Sequence, residues 1–526
     1  MPKYKVCELD QLSAETMQRI EVQDTPLLLT RKGDAVYAIA AHCTHLGAPL
    51  DQGVLSGDRV VCPWHNACFK ATTGEYLEPP ALDDLPCFET SIEAGMVWVD
   101  LPESVAQQQT PAMAAYKPEA DQRVFVILGA GAAGNIAAET LRQEGFKGRV
   151  VLITAEAKLP YDRTTLSKKY LQSDSSSAPP PLRTEAFYKQ HNIELWSDRS
   201  VTQVDAQAKT LTFSDGQSLS YDALLVATGG KARKLNLPGA ELKNVFTLHQ
   251  AGEASALLAA AQQAQTAVVL GSSFIGMEVA ASLTQQGLKV TVVSRSETPF
   301  EAVLGKPVGQ LFQHVHAEKG VTFKLGHKIE RIEGDRAVEA VILDNGERLS
   351  ADLVIIGVGI ELATDMLTGV DLHQSDRSVP VDAHLQATDG LYAAGDIARF
   401  PSSNTGQLTR IEHWRLAQQQ GRIAAKNMLG KQVPFASVPF FWTGQFDLKL
   451  RYVGHAEGWN EVLYHGDLEK PEFLAFYVED EKVRAVAGIN RDREIAAISE
   501  LMRLQKMPSV ETLRQGEYDW VGQFSP

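Results

Sequence analysis

The stretch Val124-Phe-Val-Ile-Leu-Gly129-Ala-Gly131-Ala-Ala-Gly134 decides the fold of most of this chain. A run of apolar, strand-forming residues leads directly into three glycines spaced G-x-G-x-x-G, and an Ala-rich helical pattern follows. Such glycines permit a tight turn, let backbone N–H groups approach a pyrophosphate, and let the helix pack closely on the strand. The pattern therefore predicts a strand–turn–helix unit that binds a dinucleotide at the N-terminus of its helix.

A second copy of this unit follows downstream. Residues 267–276 again lead from an apolar strand into a helix, and Gly129 and Gly134 recur 142 positions later as Gly271 and Gly276, with Ser273 in place of the middle glycine. Apolar strands alternate with Ala-rich helices throughout this part of the chain, a pattern that predicts parallel α/β domains. Two such units predict two dinucleotide sites.

The two ends of the chain have a different pattern. Residues 1–103 contain short strand-like runs (26–30, 35–41, 59–63 and 96–101) between Gly, Pro and Asp clusters, which predict an all-β domain. The last part has short strand-like runs and a helical pattern at 493–504, which predict a small α+β domain. The predicted division is 1–103 for the all-β domain, 104–121 for a linker, 122–250 with 371–432 for the first dinucleotide-binding domain, 251–370 for the second, and 433–526 for the C-terminal domain.

Composition and charge exclude several classes of protein. The 526 residues are 44% hydrophobic and 22% charged, values typical of a globular protein. No apolar run approaches the ~18 residues needed to span a bilayer, and the first residues lack the apolar core of a secretory signal. The net charge of −15 disfavours nucleic acid and anionic membranes as partners. Residues 1–103 hold −9 of this charge, which could face a basic patch of the same chain, a basic acceptor, or solvent.

The five cysteines all lie near the N-terminus, and four residues there have metal-ligand spacing. An odd number of cysteines confined to one end argues against a disulfide framework and predicts a reducing, cytoplasmic location. Cys43-Thr-His45 and, 16 residues later, Cys62-Pro-Trp-His65 each supply one thiolate and one imidazole from a loop. This resembles the Rieske signature, in which two Cys hold one iron of a [2Fe–2S] cluster and two His hold the other.

A Cys₂His₂ zinc site is the alternative for these four residues, because it uses the same ligand types. Zinc fingers usually place a Cys pair before a His pair, whereas here each half is Cys then His. High-potential Rieske proteins carry an extra disulfide and a Ser and Tyr that donate toward the cluster, and these positions here are Ala48, Trp64, Ala67 and Phe69. Fewer donors predict a low-potential cluster. The remaining cysteines are expected to be small packed side chains: Cys7, Cys68 and Cys87.

Further motifs resemble a known flavoprotein family. Residues 159–168 (LPYDRTTLSK), 227–229 (ATG), 392–396 (YAAGD), 412–414 (EHW) and 439–445 (PFFWTGQ) are similar to ferredoxin-reductase-type flavoproteins, which serve oxygenases, and to their relatives the apoptosis-inducing factors. An N-terminal Rieske module fused to such a reductase resembles the apoptosis-inducing-factor-3-like group. The resemblance implies a multidomain fold: an all-β Rieske domain, two Rossmann-like domains for FAD and NAD(P), and a C-terminal domain.

The resemblance also implies roles for individual residues. Glycines 129, 131 and 134 with Glu156 would hold the adenosine and pyrophosphate of FAD, Val201 would lie near the adenine, and Asp396 would bind the ribityl chain. The full FAD set comprises Gly129, Gly131, Gly134, Glu156, Arg163, Lys168, Val201, Thr228 and Asp396. The nicotinamide nucleotide would contact Gly271, Ser273, Phe274, Ile275, Gly276, Arg295 and Gly359. Glu278 would pair with Lys168 near the flavin, and Trp414 would flank the flavin or the nicotinamide path; these three are the expected catalytic residues.

The choice between NADH and NADPH stays open in the sequence. The second unit has Ser294-Arg295 where NAD-specific enzymes often have an acid, and Arg295 could meet a 2′-phosphate or simply be a solvated surface arginine. Glu297 lies close enough in sequence to keep NADH in consideration.

Electron counting orders the expected cofactors. NAD(P)H gives up a two-electron hydride, a [2Fe–2S] cluster accepts one electron, and FAD handles both. The sequence thus predicts a reductase that passes electrons from NAD(P)H through FAD to its own cluster and on to an external one-electron acceptor, such as a protein of an oxygenase system. Alternatives are an apoptosis-inducing-factor-like NAD(P)H oxidase, a redox-sensing interaction protein, or an accessory of a nitrite reductase. The sequence is compatible with a homo-oligomer and does not determine the oligomeric state.

Overall fold

The N-terminal region is built entirely of short strands. The structure, a computed structural model, describes residues 2–173, 179–403 and 405–524. The strands of the first hundred residues are β1 (Lys3–Glu8), β2 (Met17–Val22), β3 (Thr25–Lys32), β4 (Ala35–Ala40), β5 (Val54–Ser56), β6 (Arg59–Val61), β7 (Cys68–Lys70), β8 (Tyr76–Glu78), β9 (Cys87–Phe88), β10 (Thr90–Glu93) and β11 (Met96–Asp100). They form three sheets in the orders β1-β11-β10, β2-β3-β4-β9 and β5-β6-β7-β8.

The predicted all-β domain is therefore present. Three consecutive leucines at 27–29 in β3 are all buried. The strand is apolar on both faces because both faces are covered. The predicted strand at 59–63 ends early, at Val61, since Cys62 begins one of the two candidate metal loops.

The middle of the chain alternates strands and helices. Its first part comprises β12 (Val124–Leu128), α1 (Ala132–Gln143), β13 (Arg149–Ile153), α2 (Glu185–Gln190), β14 (Ile193–Trp196), β15 (Val201–Asp205), β16 (Thr210–Phe213), β17 (Ser218–Ser220), β18 (Ala223–Val226) and β19 (Gly230–Ala232). Its second part comprises β20 (Val245–Thr247), α3 (Ala251–Ala261), β21 (Thr266–Leu270), α4 (Phe274–Gln285), β22 (Lys289–Ser294), α5 (Glu301–Glu318), β23 (Thr322–Leu325), β24 (Ile329–Glu333), β25 (Ala340–Leu343), β26 (Arg348–Ser350), β27 (Leu353–Ile356) and β28 (Ile360–Leu362).

The remaining elements complete the sheets and form the C-terminal part. They are β29 (Leu367–Thr368), β30 (Val379–Pro380), β31 (Gln386–Thr388), β32 (Leu391–Ala393), β33 (Ala398–Pro401), β34 (Leu408–Thr409), α6 (Trp414–Met428), β35 (Phe440–Gln445), β36 (Leu448–Gly454), β37 (Glu461–Asp467), β38 (Glu472–Glu479), β39 (Lys482–Ile489), α7 (Asp492–Arg503) and α8 (Val510–Arg514). Short 3-10 turns lie at Leu9–Gln11, Leu50–Gln52, Arg163–Thr165, Gly395–Ile397 and Gly522–Phe524, and a π-type turn lies at Leu166–Tyr170.

Both predicted dinucleotide-binding units form parallel sheets. The first sheet has the order β14-β13-β12-β18-β32-β31, in which β31 alone is antiparallel to its neighbour, and the second has the order β20-β27-β21-β22-β23. Strands of the first sheet come both before and after the second sheet in sequence. This is expected if the second domain is inserted into the first. The exact domain boundaries stay a prediction.

The C-terminal part is an antiparallel sheet with a helix on it. Its strands run in the order β35-β36-β39-β38-β37, and α7 packs on β36 and β39. The predicted helix at 493–504 agrees with α7 to within one residue. The predicted multidomain fold is confirmed. No helix in the described ranges combines the length and the apolar character that crossing a bilayer requires.

The N-terminal domain is docked on the rest of the chain by buried arginines. Arg183 binds Asp83 at 2.8 Å and Glu139 at 2.9 Å, and all three side chains are at most 7% exposed. Arg415, 2% exposed, donates to the carbonyl oxygens of Asn66 (3.0 Å) and Pro79 (2.8 Å). Because a buried charge is stable only when it is paired or hydrogen-bonded, these contacts hold the two parts in one arrangement.

The predicted linker runs along the surface of this assembly. Backbone hydrogen bonds join Gln109 to Asp84 on one side, and Ala114 to Arg142 and Lys117 to Lys147 on the other. The linker is thus attached to both parts that it joins.

We expect Gly421→Ala to destabilise the protein, because α6 packs directly on α1 at this point. A Cβ at Gly421 would lie 2.1 Å from the carbonyl oxygen of Ala133, so the helices would have to separate. Overpacking of this kind costs about 1–3 kcal/mol. Gly252→Ala is the matched control: a Cβ there, in α3, meets nothing within 4 Å. Urea unfolding followed by circular dichroism measures both variants, and equal midpoints would contradict the prediction.

Candidate functional site

A cavity of about 760 Å³ runs from the first glycine turn to the C-terminal sheet. Both Rossmann-like units and β35 contribute to its walls. Every predicted FAD residue except Gly134 lines it, together with Phe274, Ile275, Glu278 and Trp414 of the other predicted sets. The predicted nucleotide residues Gly271, Ser273, Gly276, Arg295 and Gly359 lie outside its lining.

The first glycine turn has the geometry that the sequence predicts. Gly129 has φ +107°, and a Cβ there would lie 2.2 Å from the carbonyl oxygen of Ala227. A Cβ at Gly134 would lie 1.7 Å from the carbonyl oxygen of Gly129, so the helix sits as close to the turn as backbone allows. At Gly131 a Cβ would meet nothing within 4 Å, and no side chain caps α1. The N–H groups at the start of α1 therefore face open cavity, which fits the pyrophosphate of FAD.

The predicted ribose acid, Glu156, is held by two neighbours. Its carboxylate accepts hydrogen bonds from Arg163 Nη2 at 2.5 Å and from the Tyr161 hydroxyl at 2.8 Å. Tyr161 in turn accepts from the backbone N–H of Ala251, at the start of α3. Glu156 and Arg163 both belong to the predicted FAD set, and the structure brings their side chains into one ion pair.

Asp396 lies on another wall of the cavity, close to Gly229. Burial, with the carboxylate of Glu412 nearby, raises the pKa of Asp396 to about 6. A carboxyl group of this kind carries a proton for part of its population near neutral pH and can then donate as well as accept a hydrogen bond. Such a group suits the hydroxyls of a ribityl chain.

Lys168 and Glu278 form the ion pair that the sequence predicts. Lys168 Nζ lies 2.8 Å from Glu278 Oε2, which also accepts from the Ser167 hydroxyl at 2.5 Å. Glu278 Oε1 accepts from the Thr443 hydroxyl at 2.6 Å. Glu278 is only 5% exposed, so its three donors replace the water that it loses. The pair joins the first unit, α4 of the second unit and β35 at one point of the cavity wall.

The two predicted metal loops have the same backbone pattern. The N–H of Cys43 donates to Ala48 and the N–H of Cys62 to Ala67, at 2.9 and 2.8 Å. In each loop the backbone N–H groups of the second and third residues after the cysteine donate to its sulfur: residues 45 and 46 to Cys43, and residues 64 and 65 to Cys62. Such donors stabilise thiolates, the form in which cysteine binds a metal.

The two cysteine and two histidine side chains lie together, and both imidazoles are neutral. A hydrogen bond shared with Cys62, together with burial, raises the pKa of Cys43 well above its ordinary value. Burial lowers the pKa of His45 to about 4 and that of His65 to about 2, so both rings are uncharged and free to bind a metal. Their centroids lie 5.0 Å apart, and the buried Nδ1 of His45 has no hydrogen-bond partner in the described chain.

This donor set fits a two-iron cluster better than a zinc ion. Zinc in a Cys₂His₂ site needs all four donors around one ion. Among the described residues no three or more His, Cys, Asp or Glu side chains are arranged around one ion position. Two irons with two protein ligands each do not require such an arrangement.

Two of the other three cysteines differ from expectation. Cys68 is buried, and burial raises the pKa of its thiol to about 12, so it is a packed residue as predicted. Cys7 is only partly buried and Cys87 is exposed. The prediction of a buried Cys87 was wrong because the residue lies in the two-residue strand β9, which is the last strand of its sheet.

An aromatic side chain connects the metal loops to the cavity. The Trp442 ring, in β35, lies 4.4 Å from the His65 ring between centroids, and Trp442 also lines the cavity. Arg451 Nε holds the same loop by donating to the carbonyl oxygen of Trp64 at 3.1 Å. Sequence reasoning assigned no role to Trp442, Thr443 or Arg451, although the aromatic run 440–442 was a visible signal.

The second glycine turn repeats the first. Gly271 has φ +111°, and a Cβ there would lie 2.3 Å from the carbonyl oxygen of Gly357. A Cβ at Gly276 would lie 2.2 Å from the carbonyl oxygen of Gly271, and Ser273 precedes α4 without capping it. Arg295 and Gly359 are both exposed near the ends of strands of this unit.

Comparison with known proteins agrees with this architecture. Family models match at residues 2–89 (Rieske [2Fe-2S] domain), 123–421 (pyridine nucleotide-disulphide oxidoreductase) and 440–519 (reductase C-terminal). The chain is similar to apoptosis-inducing factor 3 of Homo sapiens, with 37% identity over 94% of this chain and 83% of the relative. It is also similar to the benzene 1,2-dioxygenase system ferredoxin–NAD(+) reductase subunit of Pseudomonas putida, with 34% identity over 74% of this chain and 94% of that one.

A solved structure matches the same region. The ferredoxin reductase for the CYP199A2 system from Rhodopseudomonas palustris has a TM-score of 0.73 and 30% identity, covering 77% of this chain and all of that one. The cofactors that these families bring, FAD, NAD(P)H and a [2Fe–2S] cluster, fit the cavity and the loops described above. The chain belongs to the pyridine nucleotide-disulphide oxidoreductase family and carries a Rieske [2Fe-2S] domain before, and a reductase C-terminal domain after, the oxidoreductase region.

Proposed function

We propose that this protein is an NAD(P)H-dependent reductase that passes electrons through FAD to its own Rieske cluster and on to an external one-electron acceptor. FAD supplies the chemistry that accepts a hydride pair and releases its electrons singly. The observation that carries the proposal is the contact between Trp442 and His65. Trp442 lines the FAD cavity and its ring also contacts His65, a predicted cluster ligand, so this one side chain connects the two sites. The five cysteines, all within the described residues, form no disulfide, which favours a reducing compartment, and we place the protein in the cytoplasm.

The Lys168–Glu278 pair would set the charge at one wall of the FAD cavity. Glu278 receives donors from Ser167 and Thr443 as well as from Lys168, so its carboxylate is held in one position. It in turn holds the Lys168 ammonium where the cavity wall meets the second unit. A fixed positive charge there would favour the arrival of negative charge during reduction.

The external acceptor would be reached through the Rieske domain. Arg415, Arg451 and Trp442 hold the loop of residues 62–66 against the reductase part, so this face of the domain is not available to another protein. Part of the acidic charge of the Rieske domain is neutralised within the protein, since Asp83 forms an ion pair with Arg183. The remainder suits a basic partner. The Pseudomonas relative is named as a ferredoxin reductase of a dioxygenase system. We therefore propose a ferredoxin or an oxygenase component as the class of acceptor.

We expect anaerobic mixing of the holoprotein with NADPH or NADH to lower the flavin absorbance before the EPR signal of a reduced Rieske cluster develops. Stopped-flow absorbance and rapid-freeze EPR measure the two events. A flavin that is reduced while the cluster stays oxidised would contradict the proposed path and favour the oxidase alternative. A long-lived flavin–nicotinamide complex with negligible turnover would contradict it in favour of the redox-sensing alternative.

His65→Ala removes one predicted cluster ligand and tests the exit of electrons. We expect reduction of cytochrome c, a basic one-electron acceptor, to fall by at least about a hundredfold in this variant, because losing even an outer-shell contact of a metal site can cost that much. Ferricyanide, which can take electrons from the flavin directly, should still be reduced. His42→Ala is the control, since His42 precedes Cys43 but is not one of the four predicted ligands. Retained cytochrome c reduction in His65→Ala would contradict the proposal.

Lys168→Met tests the ion pair at the cavity. We expect flavin reduction by NAD(P)H to slow by about a hundredfold, as for loss of one charge-stabilising donor, with FAD content unchanged and a lower flavin midpoint potential. Lys169→Met is the matched control, because the next lysine is exposed and makes no ion pair in the described chain. Combined with Glu278→Gln, Lys168→Met should show strongly non-additive effects. Additive effects, or an equal effect of Lys169→Met, would show that the pair does not act as a unit.

A further inference from the structure

The two dinucleotide-binding units can be aligned residue by residue through their backbone hydrogen bonds. At the first turn, Gly129 N donates to Ile153 O at 2.8 Å, and at the second, Gly271 N donates to Val293 O at 2.9 Å. Ile153 and Val293 therefore occupy the same position, at the end of the strand beside the turn. This register differs by two residues from the 142-residue spacing of the glycines.

The residues after these strands continue in the same register. Glu156 N donates to the Thr154 hydroxyl and Ser296 N donates to the Ser294 hydroxyl, both at 3.2 Å. The carbonyl of Glu156 accepts from residue 198 at 3.2 Å, and that of Ser296 accepts from Gly326 at 3.3 Å. Ser296 thus stands where the first unit has Glu156, the predicted ribose acid.

The nearest acid in sequence, Glu297, does not take over this position. It lies one residue beyond Ser296, and its carboxylate lies over the next strand connection: a Cβ at Gly326 would be 2.9 Å from Glu297 Oε1. The structure therefore separates the carboxylate of Glu297 from the position of Glu156.

Arg295 stands immediately before Ser296 and is free to bind a ligand. Its side chain is exposed and forms no ion pair or side-chain hydrogen bond within the described residues. Its segment is fixed, because the Ser272 hydroxyl in the glycine turn bonds the Ser294 hydroxyl at 2.8 Å. The end of β22 is thus tied to the turn over which a bound dinucleotide would lie.

We propose that Arg295, with the Ser296 hydroxyl, forms a binding site for a ribose 2′-phosphate, so that the protein uses NADPH in preference to NADH. A carboxylate at position 296 would bind a 2′-hydroxyl and repel a 2′-phosphate, whereas the uncharged Ser296 hydroxyl can donate to a 2′-phosphate. An arginine beside it offers planar donors that match a phosphate. The inference rests on the proposed function, since it names the donor for the same reductase, and it resolves the choice that the sequence leaves open.

The first test measures binding without electron transfer. Calorimetric titration of the oxidised holoprotein with 2′,5′-ADP and with 5′-AMP, which differ only by the 2′-phosphate, should show at least about tenfold tighter binding of 2′,5′-ADP, the gain expected for hydrogen bonds to a charged group. Arg295→Ala should remove this difference. Arg336→Ala is the control, an exposed arginine of the same part of the chain with no side-chain contact in the described residues, and should keep it. Equal binding of the two nucleotides to the unmodified protein would overturn the inference.

The second test compares coenzymes in flavin reduction. The ratio of kcat/KM for NADPH to that for NADH should exceed one, should fall at least about tenfold in Arg295→Ala, and should fall in Ser296→Glu, which restores the acid of the first unit. A preference for NADH in the unmodified protein would overturn the inference and leave the proposed function intact. Failure of both coenzymes to reduce the flavin would overturn the proposed function, while the nucleotide titration would still decide whether the 2′-phosphate site exists.

Discussion

The contact between His65 and Trp442 is the constraint on which the proposed electron path depends. The two rings are 4.4 Å apart between centroids, and they touch only because the loop of residues 62–66 is held against β35. Arg415 holds it by donating to the carbonyl of Asn66, and Arg451 by donating to that of Trp64. Both arginines are at most 7% exposed, so each is a buried charge held by hydrogen bonds to the loop. Breaking such an arrangement costs about 3–5 kcal/mol, which makes the docked position a property of the fold.

A second buried charge, Glu278, joins the parts of the chain that line the cavity. It belongs to α4 of the second unit, yet its donors come from Ser167 and Lys168 of the first unit and from Thr443 of the C-terminal sheet. A shift of any one of these parts would leave a carboxylate with too few donors in a dry place. The same residue therefore helps to fix the cavity and to position the lysine that faces it.

Local patterns were enough to predict the architecture and the two kinds of cofactor site. The glycine turns are local, because a strand, a turn and a helix follow one another in sequence, and the Cys–His loops carry their own backbone donors. Arg415 and Asn66 are 349 positions apart, and no pattern in the sequence distinguishes this buried arginine from a surface one. Cys87 was misjudged because its residue type is usually buried, whereas the short edge strand β9 leaves it exposed. Arg295 could not be interpreted until backbone hydrogen bonds set the register of its strand.

The internal repeat shows how one backbone serves two different sites. Gly134 and Gly276 are equivalent, because a Cβ at either would clash with the first glycine of its own turn. Counting from these glycines, buried Ile136 in α1 corresponds to Glu278 in α4. The first unit has an acid, Glu156, at the position predicted to bind ribose and an apolar residue at the helix start; the second has Ser296 and an acid at the corresponding positions. At the helix start of the second unit Glu278 binds Lys168 directly, at 2.8 Å on the cavity wall, whereas position 296 holds no carboxylate that would repel a 2′-phosphate.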